Sequence, residues 1–248
     1  MNKYMLLIGA WLVTGITSPA AAQSGQDVEK VMQVMKEVQG FYSAGSQSFD
    51  IYYTYSNEHA PGMVLDSLSG KMELSGDDYR YIIGNTETIH NKHYTVVLFE
   101  EDMLMYVAKP DSSVSQANPL LPMQESLERT GVTGCEITYK GNQKLVRISF
   151  KEGAPYKHIA ITLDTLSKRL LSMRYVIKTA LLMDAQDVAP DPGYDEYAIV
   201  QAVLNNYKQL PVDERRFDEK QFFSREGNEL KTTPAYKEYK IFVGSPNL

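Results

Sequence analysis

Residues 87–107 read ETIHNKHYTVVLFEEDMLMYV. Either the histidines and acids form a metal or catalytic site, or the stretch is two strands of a sheet with their turns. His90 and His93 stand three apart, a spacing that aligns side chains on a helix; in a strand, positions i and i+3 face opposite ways. Thr95 to Phe99 is β-branched and aromatic, which argues for strand, and Asn91-Lys92 argues for a turn. Zinc needs a third ligand, and the chain carries no HExxH or paired-cysteine pattern. Glu100-Glu101-Asp102 reads as a solvated turn, because acid/base chemistry needs carboxylates across a cleft rather than side by side. The stretch is therefore read as strands centred on 94–99 and 103–108, carrying Tyr94, Val96, Leu98, Leu104 and Tyr106 on an apolar face. No metal, catalytic or cofactor role is expected of it.

The same period of two runs through most of the chain. Phe49, Ile51, Tyr53 and Tyr55 alternate in SFDIYYTYSN; Met72 and Leu74 do so in GKMELSG, and Tyr79 and Tyr81 in DDYRYIIGN. Gly76-Asp77-Asp78 makes a hairpin turn between the last two. APGMVLDSLSG reads as a turn-rich connection. Downstream, CEITYKGNQKLVRISF is a hairpin turning at 140–143, and YKHIAITLDTLSKRLLSMRYVIKTA is another turning near 164–168. Ile161, Leu171, Met173, Tyr175 and Ile177 form its apolar side. YAIVQAVLNNYKQL reads as one long strand, FDEKQFFS as a short helix or turn, and EYKIFVGS as a closing strand. Arg80 alternates with Tyr79 and Tyr81 and so points away from their face, a candidate contact at the rim.

Two segments break this pattern. QDVEKVMQVMKEVQGFYSAG places Val28, Val31, Met32, Met35 and Val38 at helical spacing, with Asp27 as a cap and Gly40 or Gly45 as a stop. It should cover something. In KPDSSVSQANPLLPMQESLERTGVTG, Pro122 suits helix initiation and MQESLERTG a short helix ending at Gly131. The expected fold is α+β: nine to eleven strands in a strongly curved, mostly antiparallel sheet forming an unclosed half-barrel. The N-terminal helix and the mid-chain helical insertion cover it.

Composition narrows the function. A basic start, the apolar run YMLLIGAWLVTGI and the small residues SPAAA make an export signal over 1–22, cleaved near Ala22, with a single domain over 23–248. Cys135 is the only cysteine, so no intramolecular disulfide can form, and a structural thiol is the simplest role for it. A formal charge of −6 with scattered basic residues argues against nucleic acid. No Gly-x-Ser-x-Gly elbow starts a serine hydrolase, and no enzyme activity is expected. The 17 tyrosines suit strands whose rings are apolar and whose hydroxyls reach a wet edge.

The order of elements resembles the LolA/LolB-like periplasmic lipoprotein-carrier superfamily, in particular outer-membrane lipoprotein-sorting proteins of the Bacteroidetes type. The matching stretches are VMQVMKEVQGFYSAGSQSFDIYYTY, SGKMELSGDDYRYII, ETIHNKHYTVVLFEEDMLMYVAKPD and the closing YKEYKIFV. The chain departs from that pattern at Asn91-Lys92, where the carriers have Asp-Gly, and at Ser75-Gly76, where they lead into Arg-Pro. The resemblance implies a periplasmic monomer with no cofactor, whose concave apolar groove receives acyl chains of lipid or lipoprotein for transfer to the outer membrane. Its partner would be a lipid, an acylated lipoprotein or a transient membrane-associated protein. The groove would be lined by Phe49, Ile51, Tyr53, Met72, Leu74, Tyr79, Tyr81, Val96, Leu98, Leu104, Tyr106, Ile161, Leu171, Met173 and Tyr175. Val28, Val31, Met32 and Met35 would form its lid, and Arg80 would stand at its rim. The other reading is an envelope protein-interaction module with a filled core and no lipid. An empty groove beneath 27–38 separates the first from the second.

Overall fold

The computed structural model describes residues 19–42, 45–110, 131–182, 193–211, 213–227 and 229–245. Most of the leader and the helix expected over the 122–131 stretch lie outside the described residues.

Helix α1 runs Pro19–Tyr42, so Asp27 is not its cap. Asp27 lies within the helix, buried, with its carboxylate 2.8 Å from Lys30 Nζ. The buried stripe is Val31, Val34, Met35, Val38 and Phe41, the i, i+3, i+4, i+7 spacing of an amphipathic helix. It is rotated from the expected one. Val28 is 44% exposed and Met32 half-buried, and Val34 and Phe41 take their places. At the C-terminal end, Gln47 Nε2 donates to the Phe41 carbonyl at 2.9 Å, giving a helix-end carbonyl the partner it would otherwise lack.

The strands are β1 Ser46–Asn57, β2 Val64–Ser75, β3 Asp78–Ile83, β4 Thr86–His90, β5 Thr95–Phe99, β6 Leu104–Ala108 and β7 Val132–Lys140. They continue with β8 Gln143–Phe150, β9 Tyr156–Asp164, β10 Leu170–Lys178, β11 Tyr197–Gln209, β12 Phe223–Glu226, β13 Glu229–Thr232 and β14 Lys240–Val243. Twelve of them form one sheet in the order β14-β6-β5-β4-β3-β2-β1-β11-β10-β9-β8-β7; β12 and β13 pair separately. Every pairing in the large sheet is antiparallel except β14 with β6. The sheet is curved and unclosed, with β14 and β7 at its edges. The hairpin turns fall where the glycines allow positive φ, at Gly76 (62°) and Gly141 (57°). APGMVLDSLSG is not a connection: β2 begins at Val64 and pairs with Ser56 to Tyr52 of β1 before β3 joins it at Gly70. Its serines and glycine masked a strand whose first half pairs on one side only.

Register assigns the faces. Phe49 opposes Met72, and Met72 opposes Tyr81. In the other direction Ile51 opposes Leu204 and Tyr53 opposes Ala202, which meets Met173 and then Ile161. These residues face α1, and the buried core unites them with Val31, Val34 and Val38. The opposite face begins with Glu73, which opposes Arg80, and Arg80 opposes Ile89. Ile89 opposes Val96, and Val96 opposes Val107. Val96 and Leu98 therefore sit with Met105 and Val107 on this face, while Leu104 and Tyr106 share the helix face. The expected groove set does not hold together at this hairpin.

The second face has its own cover. The chain after β11 makes two short 3-10 turns, Glu214–Phe217 and Glu219–Gln221, then the β12–β13 hairpin and a turn at Pro234–Tyr236. Phe217, Phe222 and Phe223 are each 3% exposed, packed with Ile89, Val96, Leu98, Met105 and Val107. Tyr94 meets Phe223 edge-on at 5.3 Å. Each fully buried ring contributes about 1.5–3 kcal/mol.

Asn91 locks this cover to the sheet. Its Oδ1 accepts from the His93 and Tyr94 amides at 2.8 and 2.9 Å, closing the β4–β5 turn. Its Nδ2 donates to the Phe217 carbonyl and to Glu219 Oε2, both at 2.8 Å. Asn91→Ala orphans buried groups on both sides and should lower unfolding free energy by about 2–4 kcal/mol in urea. His93→Ala, on the exposed side of the turn, should change it by less than about 0.5 kcal/mol.

Candidate ligand-binding face

The helix face divides into two zones. Beneath α1 it is dry and filled: Val34, Val38, Leu74, Ile148, Ile159 and Leu170 are all at 0% exposure. Phe41, Phe49 and Tyr207 pack ring to ring there, with centroids 5.0–5.9 Å apart. Tyr207 Oη donates to the Leu170 carbonyl. Tyr79 belongs to this filled zone, stacked on His90 at 4.9 Å and 12°. Among the described residues, these side chains fill the space beneath residues 31–38.

Beyond that core the face becomes a wall of tyrosines. Tyr53 and Tyr55 stand on β1, Tyr81 on β3, Tyr156 on β9 and Tyr175 on β10, all half-buried. Strand parity puts them together: Tyr53 and Tyr55 lie two apart, and Tyr55 reaches Tyr175 through Val200 of β11. Tyr81 Oη donates to Tyr53 Oη at 3.3 Å, and Tyr175 Oη points at Met173 Sδ at 3.3 Å. The Tyr156 and Tyr175 rings lie 6.2 Å apart. Gly70 makes the approach of β2 to β3 possible. A Cβ there would stand 2.9 Å from the Ile82 carbonyl oxygen and 3.3 Å from the Tyr81 ring. Burial raises all five phenol pKa values above the ordinary tyrosine range, so the wall is uncharged at any physiological pH. It offers apolar ring faces with hydroxyls at their edges, the chemistry of a surface that is greasy yet tolerates water.

The other expected residues are dispersed. Ile51, Met72, Leu74, Ile161 and Met173 are buried in the filled core. Leu171 falls at a register shift against β9, leaving Leu170 to face Leu163. Tyr106 stacks on Phe242 at 5.8 Å near the β14 edge, and half-buried Leu104 lies beside it on β6. His90 bonds Thr95 Oγ1 at 2.8 Å while exposed His93 holds Asn91 through its backbone amide, so the two imidazoles do not converge. Cys135 is buried, with its thiol pKa pushed up by that burial and by the Asp27 carboxylate.

Two features escape the sequence reading. The first is the full extent of the wall. Tyr156 stands at the start of a strand, where parity has little to work on, and Tyr55 carries the Phe49–Ile51–Tyr53 alternation one step past the expected lining. The second is an ion cluster on the opposite face. Arg80 Nε bonds Glu87 Oε1 at 2.7 Å, which places Arg80 under the C-terminal cover and not at a groove rim. Beside it, buried Glu73 receives Lys71 Nζ at 2.7 Å and Arg216 Nη1 at 3.2 Å. Burial pushes the Glu73 carboxyl up, but these hydrogen bonds outweigh it and hold the group below its usual range.

At the C-terminal end of α1 lies a cleft of about 820 Å³ reached by Phe41, Tyr139 and Leu163. Several of its polar groups are engaged: Lys144 pairs with Glu37 at 2.7 Å, Asp164 caps its own turn by accepting from the Leu166 and Ser167 amides, and Arg169 lies over the Tyr207 ring. It offers neither a nucleophile nor a free charge from these groups.

No family model matches the chain, and no curated protein matches it either. Among solved structures, it is similar to an uncharacterized conserved protein from Thermus thermophilus at 8% identity and a TM-score of 0.44, covering 86% of this chain and 99% of that one. It is also similar to a putative outer membrane lipoprotein-sorting protein domain from Vibrio parahaemolyticus, at 11% identity and a TM-score of 0.37, with 79% and 98% covered. A LolA superfamily protein from Nitrosomonas europaea matches at 7% identity and a TM-score of 0.34, with 76% and 97% covered. Likenesses this distant say nothing of a ligand.

The Glu73 cluster generates a pH prediction. A carboxyl with a folded pKa below its unfolded value, about 4.3, adds stability above that value and loses it as pH falls through the folded pKa. Glu73→Gln should therefore lower unfolding free energy by about 1–3 kcal/mol at pH 7. The gap between variant and wild type should close as the pH is lowered through the acid range.

Proposed function

We propose that this protein is a non-catalytic periplasmic carrier that holds acyl chains of lipid or lipoprotein against the tyrosine wall, for delivery toward the outer membrane. The supporting observation is the division of the helix face: α1 covers one end, and beyond it Tyr53, Tyr55, Tyr81, Tyr156 and Tyr175 share that face, each half-buried. An acyl chain gains about 0.8 kcal/mol per methylene removed from water, so a dozen methylenes against this wall supply on the order of 10 kcal/mol before the costs of binding. No charged group is required. The monomer suffices for such a site.

One observation favours the second reading, an envelope protein-interaction module. The space under α1 is filled, and residues Val64–Ser69 of β2 have a strand on one side only, with Met63, Val64 and Leu65 between 42% and 58% exposed. A free apolar edge of this kind accepts another chain's strand.

Fluorescence uptake of cis-parinaric acid separates the two. Wild type should bind it saturably, Tyr55→Asp should weaken binding at least about tenfold by placing a charge on the wall, and Val64→Asp should leave it unchanged. Wild type without uptake contradicts the carrier and leaves the module.

A further inference from the structure

The face opposite α1 carries a second concavity, away from the C-terminal cover. Arg147 of β8 opposes Ala160 of β9, and Ala160 opposes Arg174 of β10. The two arginines thus flank a small side chain, two strand spacings or about 9–10 Å apart at the backbone. Long guanidinium arms easily close that distance over alanine. His158, two residues from Ala160 along β9, shares their side; it opposes Val176, which opposes Ile199. Together they bound a basin of about 270 Å³.

The arginines stand out by what they lack. Arg80 has Glu87, Arg215 has Asp213 and Arg216 has Glu73. Arg169 lies over the Tyr207 ring, and Arg225 bonds the Gly227 carbonyl. Arg147 and Arg174 have no such partner among the described residues, and both line the same basin. The acids nearby do not compensate them. Glu58, at the basin's wall, is held by Lys157 at 2.5 Å. Glu136, Arg147's register partner on β7, makes no ion pair with it among the described residues. A chain with a formal charge of −6 thus keeps two guanidinium groups without an ion-pair partner over one depression that also holds Val176 and Ile199.

We infer that this basin is a binding site for a phosphate group, gripped by Arg147 and Arg174 with His158 beside them. The planar fork of arginine matches phosphate oxygens in pairs, and the Val176–Ile199 wall suits the apolar part of a phosphoester. The source is either free phosphate or the headgroup of an anionic phospholipid, and both present the same oxygens. The site lies on the face away from the tyrosine wall and does not depend on what that wall binds.

The test uses the full chain in two arms: calorimetric titration with inorganic phosphate, and flotation with vesicles of phosphatidylcholine containing about one-third phosphatidylglycerol, beside vesicles of phosphatidylcholine alone. Saturable binding in either arm, weakened at least about tenfold in the Arg147→Gln/Arg174→Gln variant, supports the site. Phosphate binding identifies a free anion, and binding only to the phosphatidylglycerol vesicles without it identifies an anionic headgroup. Arg147→Lys/Arg174→Lys keeps the charge and loses the fork, so it should fall between the two and serves if the glutamine variant does not fold. Binding in neither arm, equal binding to both vesicle types with no phosphate binding, or variants that bind as wild type would overturn the assignment.

Discussion

An unclosed sheet has two faces, and here both are apolar over much of their area. A strand shows alternate residues to opposite sides, so apolar runs such as Thr95–Phe99 and Leu104–Ala108 load both faces at once. A barrel would enclose one of them. This sheet ends at β7 and β14, so each face needs a separate cover. Helix α1 supplies one, and the chain after β11 supplies the other. The first and eleventh strands pair near the middle of the sheet, and the segments before β1 and after β11 cover opposite faces. Asn91 and the Glu73–Arg216 pair tie the second cover down, and β14 adds a parallel strand at the edge beside β6.

The candidate site follows from the mismatch between cover and face. Helix α1 is too short to span a face twelve strands wide, so it packs dry against part of it and stops. What extends past it is sealed by half-buried tyrosines, whose rings keep the surface apolar while their hydroxyls remain neutral and hydrogen-bonding. Ligand binding on such a wall would be driven by area and not by charge. The charged groups lie elsewhere: in the salt-linked cluster under the C-terminal cover, and in the arginine basin of β8–β10.

Much of this is legible in the sequence. The helical spacing of 31–41, the hairpin glycines at 76 and 141, and the alternation of Phe49–Tyr53 and Met173–Tyr175 carry their structure openly, because one face of each is polar enough to show the period. The failures have the opposite cause. Sequence groups Val96 and Leu98 with Leu104 and Tyr106 because TVVLF and LMYV are apolar at consecutive positions, which hides parity; pairing instead sets Leu98 against Met105. The C-terminal cover is invisible as a cover because Phe217, Phe222 and Phe223 follow no helical or strand period. Asn91 reads like any turn residue, and only the fold brings it within 2.8 Å of the Phe217 carbonyl. The filled state of the space under α1 depends on side-chain volumes across strands far apart in sequence, which no local pattern encodes.

On the proposed function, the helix face is filled under α1 and takes its ligand at the tyrosine wall. A diazirine-bearing palmitic acid, photolysed on the purified full-length protein and mapped by peptide mass spectrometry, tests it most directly. Adducts are expected on the β1, β3, β9 and β10 peptides that carry Tyr53, Tyr55, Tyr81, Tyr156 and Tyr175. Adducts confined to residues 213–245, or to the stretch 31–41 and its core partners, would contradict it, as would no labelling at all.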